Sequence, residues 1–403
     1  MKLRNSSERI LTTHSGSLLR PRPVLELMKS IELGKPIDNV EFDKTVTEAV
    51  NQVVEEQVSI GVDIPGDGDM GRLGYARYVH ERLDGVDLRE PEPGEAYTGS
   101  SPEDSKLFPE YYKIYDRTNR YWWMDPEVDL SELPDYYDNP QRFIVTGPIK
   151  YSGHEIIKNE IRRLKEAADK AGAEEAFLSC TVPTSVLRHP GSTQDLYPTA
   201  EALVYAVADA LREEYLAVVE AGLLLQVDYP GIHRGTNPRL GTNADLGVEA
   251  LNYALRGIPE EKVRLHFCSG SQLAPHVANP AYRDVIEPVL FKVNAQAYQI
   301  EGANPRHEHE WMLWKDIKLP EGKILMPGVI SHNNQIIEHP ELVAWRIELF
   351  ASVVGKESVI AGIDCGFSQF WDHRRTIPEV QRAKFQSLVE GAAIASKRLW
   401  NRN

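Results

Sequence analysis

Residues 263–270 read VRLHFCSG, and the way this run ends decides the fold. His266 and Cys268 stand two apart, so on a strand both side chains leave the same face. With the small turn of Ser269 and Gly270 after them, the pair can reach a single ion. Tetrahedral zinc needs two more ligands, which distant stretches of sequence can supply. Two other strand ends offer them: Glu301, after AYQI (297–300), and Cys365, after VIAGID (359–364). A lone His-x-Cys also fits a buried structural pair. Two of the chain's three cysteines at equivalent strand ends, with a glutamate at a third, point instead to zinc.

The surrounding sequence carries the same motif outward. Short apolar runs at 10–13, 62–64, 143–146, 176–179, 223–227, 263–267, 297–300, 324–330 and 359–363 read as strands. Amphipathic stretches lie between most of them, among them 41–60, 154–172, 199–221 and 339–355, with Gly222 as a stop signal after the third. Such alternation predicts an α/β fold with a parallel sheet and helical crossovers. An open doubly wound sheet and a closed TIM (β/α)8 barrel both accommodate it, although nine strands are one more than the barrel needs. The reactive side chains favour the barrel. His14 and Ser15, Asp67, Asp228, His266 and Cys268, Glu301, His332 and Cys365 all fall at C-terminal strand ends, and in a barrel those ends form one ring around one site.

One segment departs from the pattern. Residues 88–141 are rich in proline and carry the aromatic clusters YYKIY, RYWWM and DYY. They read as an insertion into a single barrel domain spanning 1–403. It is either a surface excursion packed on the barrel or a second subunit, or a lid that lends aromatic walls to the pocket. Cys180 reads as core or pocket wall, and the run RHEHEW (306–311) as a solvated charged loop.

Composition narrows the partners. The chain has 403 residues, 42% hydrophobic and 26% charged, with a net charge of −15. That charge disfavours nucleic acid and anionic membranes as partners. Three cysteines in so long a chain argue against a disulfide framework, and no run approaches membrane-spanning length. These features indicate a cytoplasmic protein acting on small molecules; a homo-oligomer is left open.

The order HFC (266–268), IEG (300–302), HNN (332–334) and DCGF (364–367) resembles the catalytic barrel of the cobalamin-independent methionine synthase family. The similarity runs from about residue 10 to the C-terminus, interrupted by 88–141. The resemblance implies a TIM barrel, zinc on His266, Cys268, Glu301 and Cys365, and methyl transfer from 5-methyltetrahydrofolate or its polyglutamate to homocysteine. By the same resemblance, Ser15, Gly16 and Ser17 in TTHSGSLLRP would contact the amino-acid carboxylate. Asp67 in IPGDGD and Asp228 in LQVDYP would bind its ammonium group, though as residues both also suit helix N-caps. His332 in GVISHNN would be the general acid, a role its ordinary pKa suits.

Two departures touch the donor side. SCTVPTSVL (179–187) lacks the tryptophan that stacks on folate in that family, and GIHRG (231–235) offers Arg234 where the family has an acid. Single-barrel relatives include enzymes that use other thiols and donors, such as the epoxyalkane:coenzyme M transferases. Zinc-dependent alkyl transfer of that type is therefore the alternative. A zinc hydrolase fits less well, because two sulfur ligands surround the metal and no carboxylate base is evident beside it. A purely structural zinc site usually draws on close ligand pairs, not on separate strand ends.

Overall fold

The computed structural model describes residues 3–90, 92, 102–112, 142–186, 196–230, 243–269, 275–277, 281–372 and 376–401. Nine strands occur among them: β1 (Leu11–Thr12), β2 (Leu83–Arg89), β3 (Arg142–Tyr151), β4 (Phe177–Thr181), β5 (Leu224–Asp228), β6 (Val263–His266), β7 (Ala297–Ile300), β8 (Ile324–Ile330) and β9 (Ile360–Ile363). Seven of them pair in parallel in the order β1-β9-β8-β7-β6-β5-β4. Residues 64–66 close the gap between the ends of this sheet. Ile64 pairs with Thr13 and Gly66 with Phe177, both in parallel. The result is an eight-stranded barrel wrapped by helices, the expected TIM (β/α)8 architecture.

The surplus strand is explained by β3. Residues 143–146 lie in an antiparallel pair with β2, outside the barrel. The run is apolar because Phe143 and Val145 are buried where β3 packs on the outer helix Ala200–Glu220, not because it lines the barrel. Residues 88–141 therefore span the end of β2 and the connection to β3. Their described part, around the short helix Pro102–Leu107, reaches the segment that follows β6. The Tyr112 hydroxyl donates to Pro275 O at 2.8 Å, and Val277 N donates to Asp104 Oδ1 at 2.7 Å. The clusters RYWWM and DYY lie outside the described residues. No described helix is long and apolar enough to cross a membrane.

The outer helices have readable ends. Asp38 caps the helix Asn39–Ile60 by accepting from Val40 N at 2.8 Å, and Thr199 caps Ala200–Glu220 by accepting from Ala202 N at 3.1 Å. The β2–β3 pair and two helices are locked to the barrel by buried charge. Arg72 and Arg82 both bind Glu160, and Arg82 also binds Glu214. Glu214 accepts from the hydroxyls of Tyr78 and Tyr151 at 2.8 and 2.7 Å. The Tyr78 ring lies against both guanidiniums, 4.1 and 4.3 Å from its centroid. Arg72 completes the link by donating to Ser179 O on β4 at 2.6 Å.

Such a network is costly to break because each lost partner strands a buried charge. Burial opposes the charge on Glu160, but Arg72 and Arg82 outweigh it and hold its pKa at about 2 against an ordinary 4.5. A depressed carboxylate stabilises the fold above the unfolded pKa and loses that contribution as pH falls through the folded one. Glu160→Gln is therefore expected to lower unfolding free energy by about 3–5 kcal/mol at pH 7. In urea titrations the gap to wild type should narrow as pH drops below the ordinary glutamate value. A gap independent of pH would contradict this electrostatic account.

Candidate active site

The barrel interior is layered by the two-residue period of its strands. At the N-terminal end Leu11, Ile64, Phe177, Leu224, Ala297, Ile324, Met326 and Ile360 form an apolar plug closed by Leu3. Two residues on, β4 to β7 carry Ser179, Gln226, Arg264 and Gln299. Arg264 donates to Thr13 Oγ1 at 2.8 Å, His14 O at 2.6 Å and Gln299 Oε1 at 3.0 Å, with its guanidinium 4.0 Å above the Phe177 ring. Two residues further, β5 to β7 lead to Asp228, His266 and Glu301, with Cys268 next in line after His266.

Ligand atoms of His266, Cys268 and Cys365 come within 4.8 Å of one another, all three residues being buried. Neither ring nitrogen of His266 has a hydrogen-bond partner of ordinary geometry among the described residues. Burial pulls the pKa of His266 down, but the Cys268 thiol with the Asp228 and Glu301 carboxylates more than reverses this. The Cys268 thiol is pushed well up by its contact with Cys365 and by burial. Two thiols and an uncommitted imidazole at one buried point are a donor set that fits a metal ion. Glu301 stands beside this trio. It accepts from Ser269 N at 2.7 Å and Asn304 Nδ2 at 2.8 Å, and burial, then Cys268 and Asp364, raises its pKa. Cys180 is apart from the cluster, buried near Glu214 and Tyr78, as core.

The other expected residues lie around the same barrel mouth. The Ser15 hydroxyl donates to Ile363 O at 2.7 Å and accepts from Gln299 at 2.6 Å. The Ser17 hydroxyl donates to Asp69 Oδ2 at 2.6 Å. Both hydroxyls are thus engaged by the protein. Gly16 has a φ of 121°, and a Cβ there would lie 2.7 Å from Ser179 Oγ, so only glycine lets this turn press against β4. Asp67 is buried and accepts from Asp69 N at 3.0 Å; neither Asp67 nor Asp228 caps one of the described helices. Burial, reinforced by Asp69, raises the pKa of Asp67, and burial lifts Asp228 to about 7. His332 is fully buried just beyond β8, in a turn held by Ser331 N donating to Glu338 Oε1 at 2.8 Å. His14 is kept neutral by burial and Arg264, which lower its pKa to about 3. Arg234 lies outside the described residues.

No family model matches the chain. It is 24% identical over 393 residues to the methionine synthase of Sulfurisphaera tokodaii, covering 97% of this chain and 94% of that one. It is likewise 24% identical over 394 residues to the methionine synthase of Saccharolobus solfataricus, covering 96% and 95%. The fold is similar to a B12-independent methionine synthase from Shewanella sp. W3-18-1 in complex with selenomethionine. That match has a TM-score of 0.68 at 19% identity and covers 98% of this chain and 99% of that one. A putative vitamin-B12 independent methionine synthase from Listeria monocytogenes matches at 0.63 and 18%, over 96% and 98%. Over nearly its whole length the chain is thus similar to methionine synthases, in sequence and in fold.

Several residues of this methionine synthase relative escape a reading of sequence. The run 306–311 is not a solvated loop. His307 and Glu310 are buried, paired through Nδ1 and Oε2, and His307 stacks on Tyr282 at 4.4 Å. The misreading arose because charged residues in a short 3-10 turn give no apolar periodicity, and only packing against Tyr282 takes them out of water. Asp69, Asn304 and Asp364 are also buried at the site. Asp364, in the DCG run, carried the one signal that could have found it.

Metal uptake tests the cluster directly. Chelator-treated protein titrated with zinc is expected to bind one equivalent. Cys365→Ser and His266→Ala should each weaken uptake at least tenfold, whereas Cys180→Ser should leave it unchanged. Full uptake by Cys365→Ser would remove that residue from the ligand set.

Proposed function

We propose that this protein is a zinc-dependent methyltransferase that moves a methyl group from 5-methyltetrahydrofolate, or a polyglutamate of it, to the thiol of homocysteine. The observation that carries this reading is the buried convergence of His266, Cys268 and Cys365 at the barrel mouth, in a chain related over its length to methionine synthases. His266, Cys268, Glu301 and Cys365 would hold the zinc, and the whole chain, 1–403, would act as one barrel domain with 88–141 as an excursion from it. When bound, zinc keeps a thiol deprotonated at neutral pH while leaving it nucleophilic.

The remaining work falls to the chain's own side chains. Asp67 and Asp228 receive the substrate ammonium, and the backbone of the Ser15–Gly16–Ser17 turn faces its carboxylate. Fixing both ends of the amino acid aims its sulfur at the methyl carbon, and alignment of this kind can supply much of the acceleration. The thiol proton departs, the sulfur–methyl bond forms and the methyl–N5 bond breaks. His332 gives a proton to the leaving nitrogen, so that methionine and tetrahydrofolate result.

Methionine formation from homocysteine should be seen with methyltetrahydrofolate or its polyglutamate and not with methylcobalamin. Turnover only with another thiol, such as coenzyme M, or another alkyl donor would favour the alternative. No thiol alkylation with any of these would sink the proposal. His332→Gln should lower kcat about 10²–10⁴-fold while leaving methionine binding intact.

The raised pKa of Asp67 gives a second test. An ammonium favours the ionised carboxylate, so binding of methionine, which has no thiol to confuse the titration, should tighten as pH rises through neutrality and release protons below it. Calorimetry in buffers of different ionisation enthalpy measures that release. Asp67→Asn should remove its share of that release, leaving the part that Asp228 supplies, and weaken binding about 10–100-fold. Unchanged proton release in this variant would dismiss Asp67 as the ammonium partner.

A further inference from the structure

Two of the proposed metal ligands stand on strands that are not neighbours. Glu301 follows β7 and Cys365 follows β9, with β8 between them. Asp364, the residue before Cys365, bridges that gap. Its Oδ1 accepts from the backbone N–H groups of Gly302 at 2.8 Å and Ala303 at 2.9 Å, the two residues after Glu301. Its Oδ2 accepts from the side-chain amide of Asn304 at 3.1 Å, and the same amide donates to Glu301 Oε2 at 2.8 Å. The other Glu301 oxygen accepts from Ser269 N, next to Cys268, at 2.7 Å. One chain of hydrogen bonds therefore runs from the loop of Cys268 through Glu301 and Asn304 to the loop of Cys365.

The crossing is possible because β8 carries glycine where the carboxylate passes. A Cβ on Gly328 would lie 2.0 Å from Asp364 Oδ1 and 2.7 Å from the Asp364 backbone, so any side chain there expels the carboxylate. The β8–β9 register shifts between Gly328 and Ile330, at this same point. The bridge also has a fixed polarity. An ionised carboxylate only accepts, and the Asn304 amide nitrogen has two protons, one for each carboxylate. Asn304 Oδ1 accepts from Arg306 N at 3.0 Å, so turning the amide over would forfeit that bond and set an oxygen against Glu301.

We propose that Asp364, acting with Asn304 through the gap at Gly328, is a positioning residue that sets the placement of Glu301 relative to Cys365 and thereby the affinity and geometry of the metal site. This inference rests on the metal reading above. Asp364 is not a ligand in it. Partners that orient ligands typically contribute 10–100-fold to metal affinity, and that is the scale expected here.

The test uses the full-length chain, stripped of metal and titrated with zinc against a chromophoric chelator and with cobalt(II), whose visible absorption reports coordination geometry. Asp364→Asn can keep the bonds to Gly302 and Ala303 but turns a donor toward the Asn304 amide. It should bind zinc 10–100-fold more weakly and shift the cobalt spectrum. Gly328→Ala should do the same, and Asn304→Ala should act in the same direction with the Asp364–backbone bonds intact. Thermal unfolding of the metal-free proteins separates positioning from folding. Variants that melt earlier yet bind zinc with wild-type affinity and spectrum overturn the inference alone. A wild type that binds neither zinc nor cobalt overturns the metal reading and this inference with it. If Asp364→Asn does not fold, unchanged affinity and spectrum in Asn304→Ala and Gly328→Ala overturn it equally.

Discussion

Closure of the parallel sheet is the constraint on which the rest depends. Seven strands in one ladder would leave an open edge at β1 and another at β4, and the pairings Thr13–Ile64 and Gly66–Phe177 bring those edges together. Once the ring is closed, every inward side chain faces the same axis, and the two-residue period turns sequence position into height. Leu224, Gln226 and Asp228 climb β5 as an apolar, a polar and a reactive residue, and Ala297, Gln299 and Glu301 do the same along β7. The site is the top layer of that stack. Arg264 ties the middle layer together by reaching Thr13 and His14, just after β1, and Gln299 on β7 at once.

The electrostatics of that top layer have one sign. Asp67, Asp69, Asp228, Glu301 and Asp364 are buried there with the thiols of Cys268 and Cys365. Burial is the leading reason that Asp67, Asp228, Glu301 and Asp364 have raised pKa values. Carboxylates gathered in a dry pocket are costly unless positive charge arrives. A metal ion on the sulfur side and a substrate ammonium on the Asp67 and Asp228 side would meet that need at two points. Of the fixed cations nearby, Arg20 donates to backbone and hydroxyl oxygens, and Arg72 is divided between Glu160 and Asp69. A metal and an amino acid bound at those two points would be coupled through the same field.

Much of this was legible in the chain. The runs around β4 to β9 were found to within a residue or two because parallel barrel strands are short, apolar and bounded by clear signals. His266, Cys268 and Cys365 were legible as a set because cysteine is rare here and strand ends converge in a barrel. The run 143–146 misled, since an apolar strand on the outside of the barrel looks the same in sequence as one inside. His307 and Glu310 misled in the opposite sense, because charge in a short turn resembles solvated loop until Tyr282 is seen stacked on it.

The sequence by itself determined the alternation of strand and helix, the height of each reactive residue along its strand, and the chemical identity of the donor set. Those are local properties, set by periodicity and residue type. Only the tertiary structure decided that residues 64–66, not 143–146, complete the barrel. It likewise decided that the hydroxyls of Ser15 and Ser17 face inward to protein partners, and that Asp364 crosses β8 at Gly328 to hold the loop of Glu301. Each of these depends on which strands become neighbours once the ring closes, and on a clearance of a few ångströms between residues far apart in the chain.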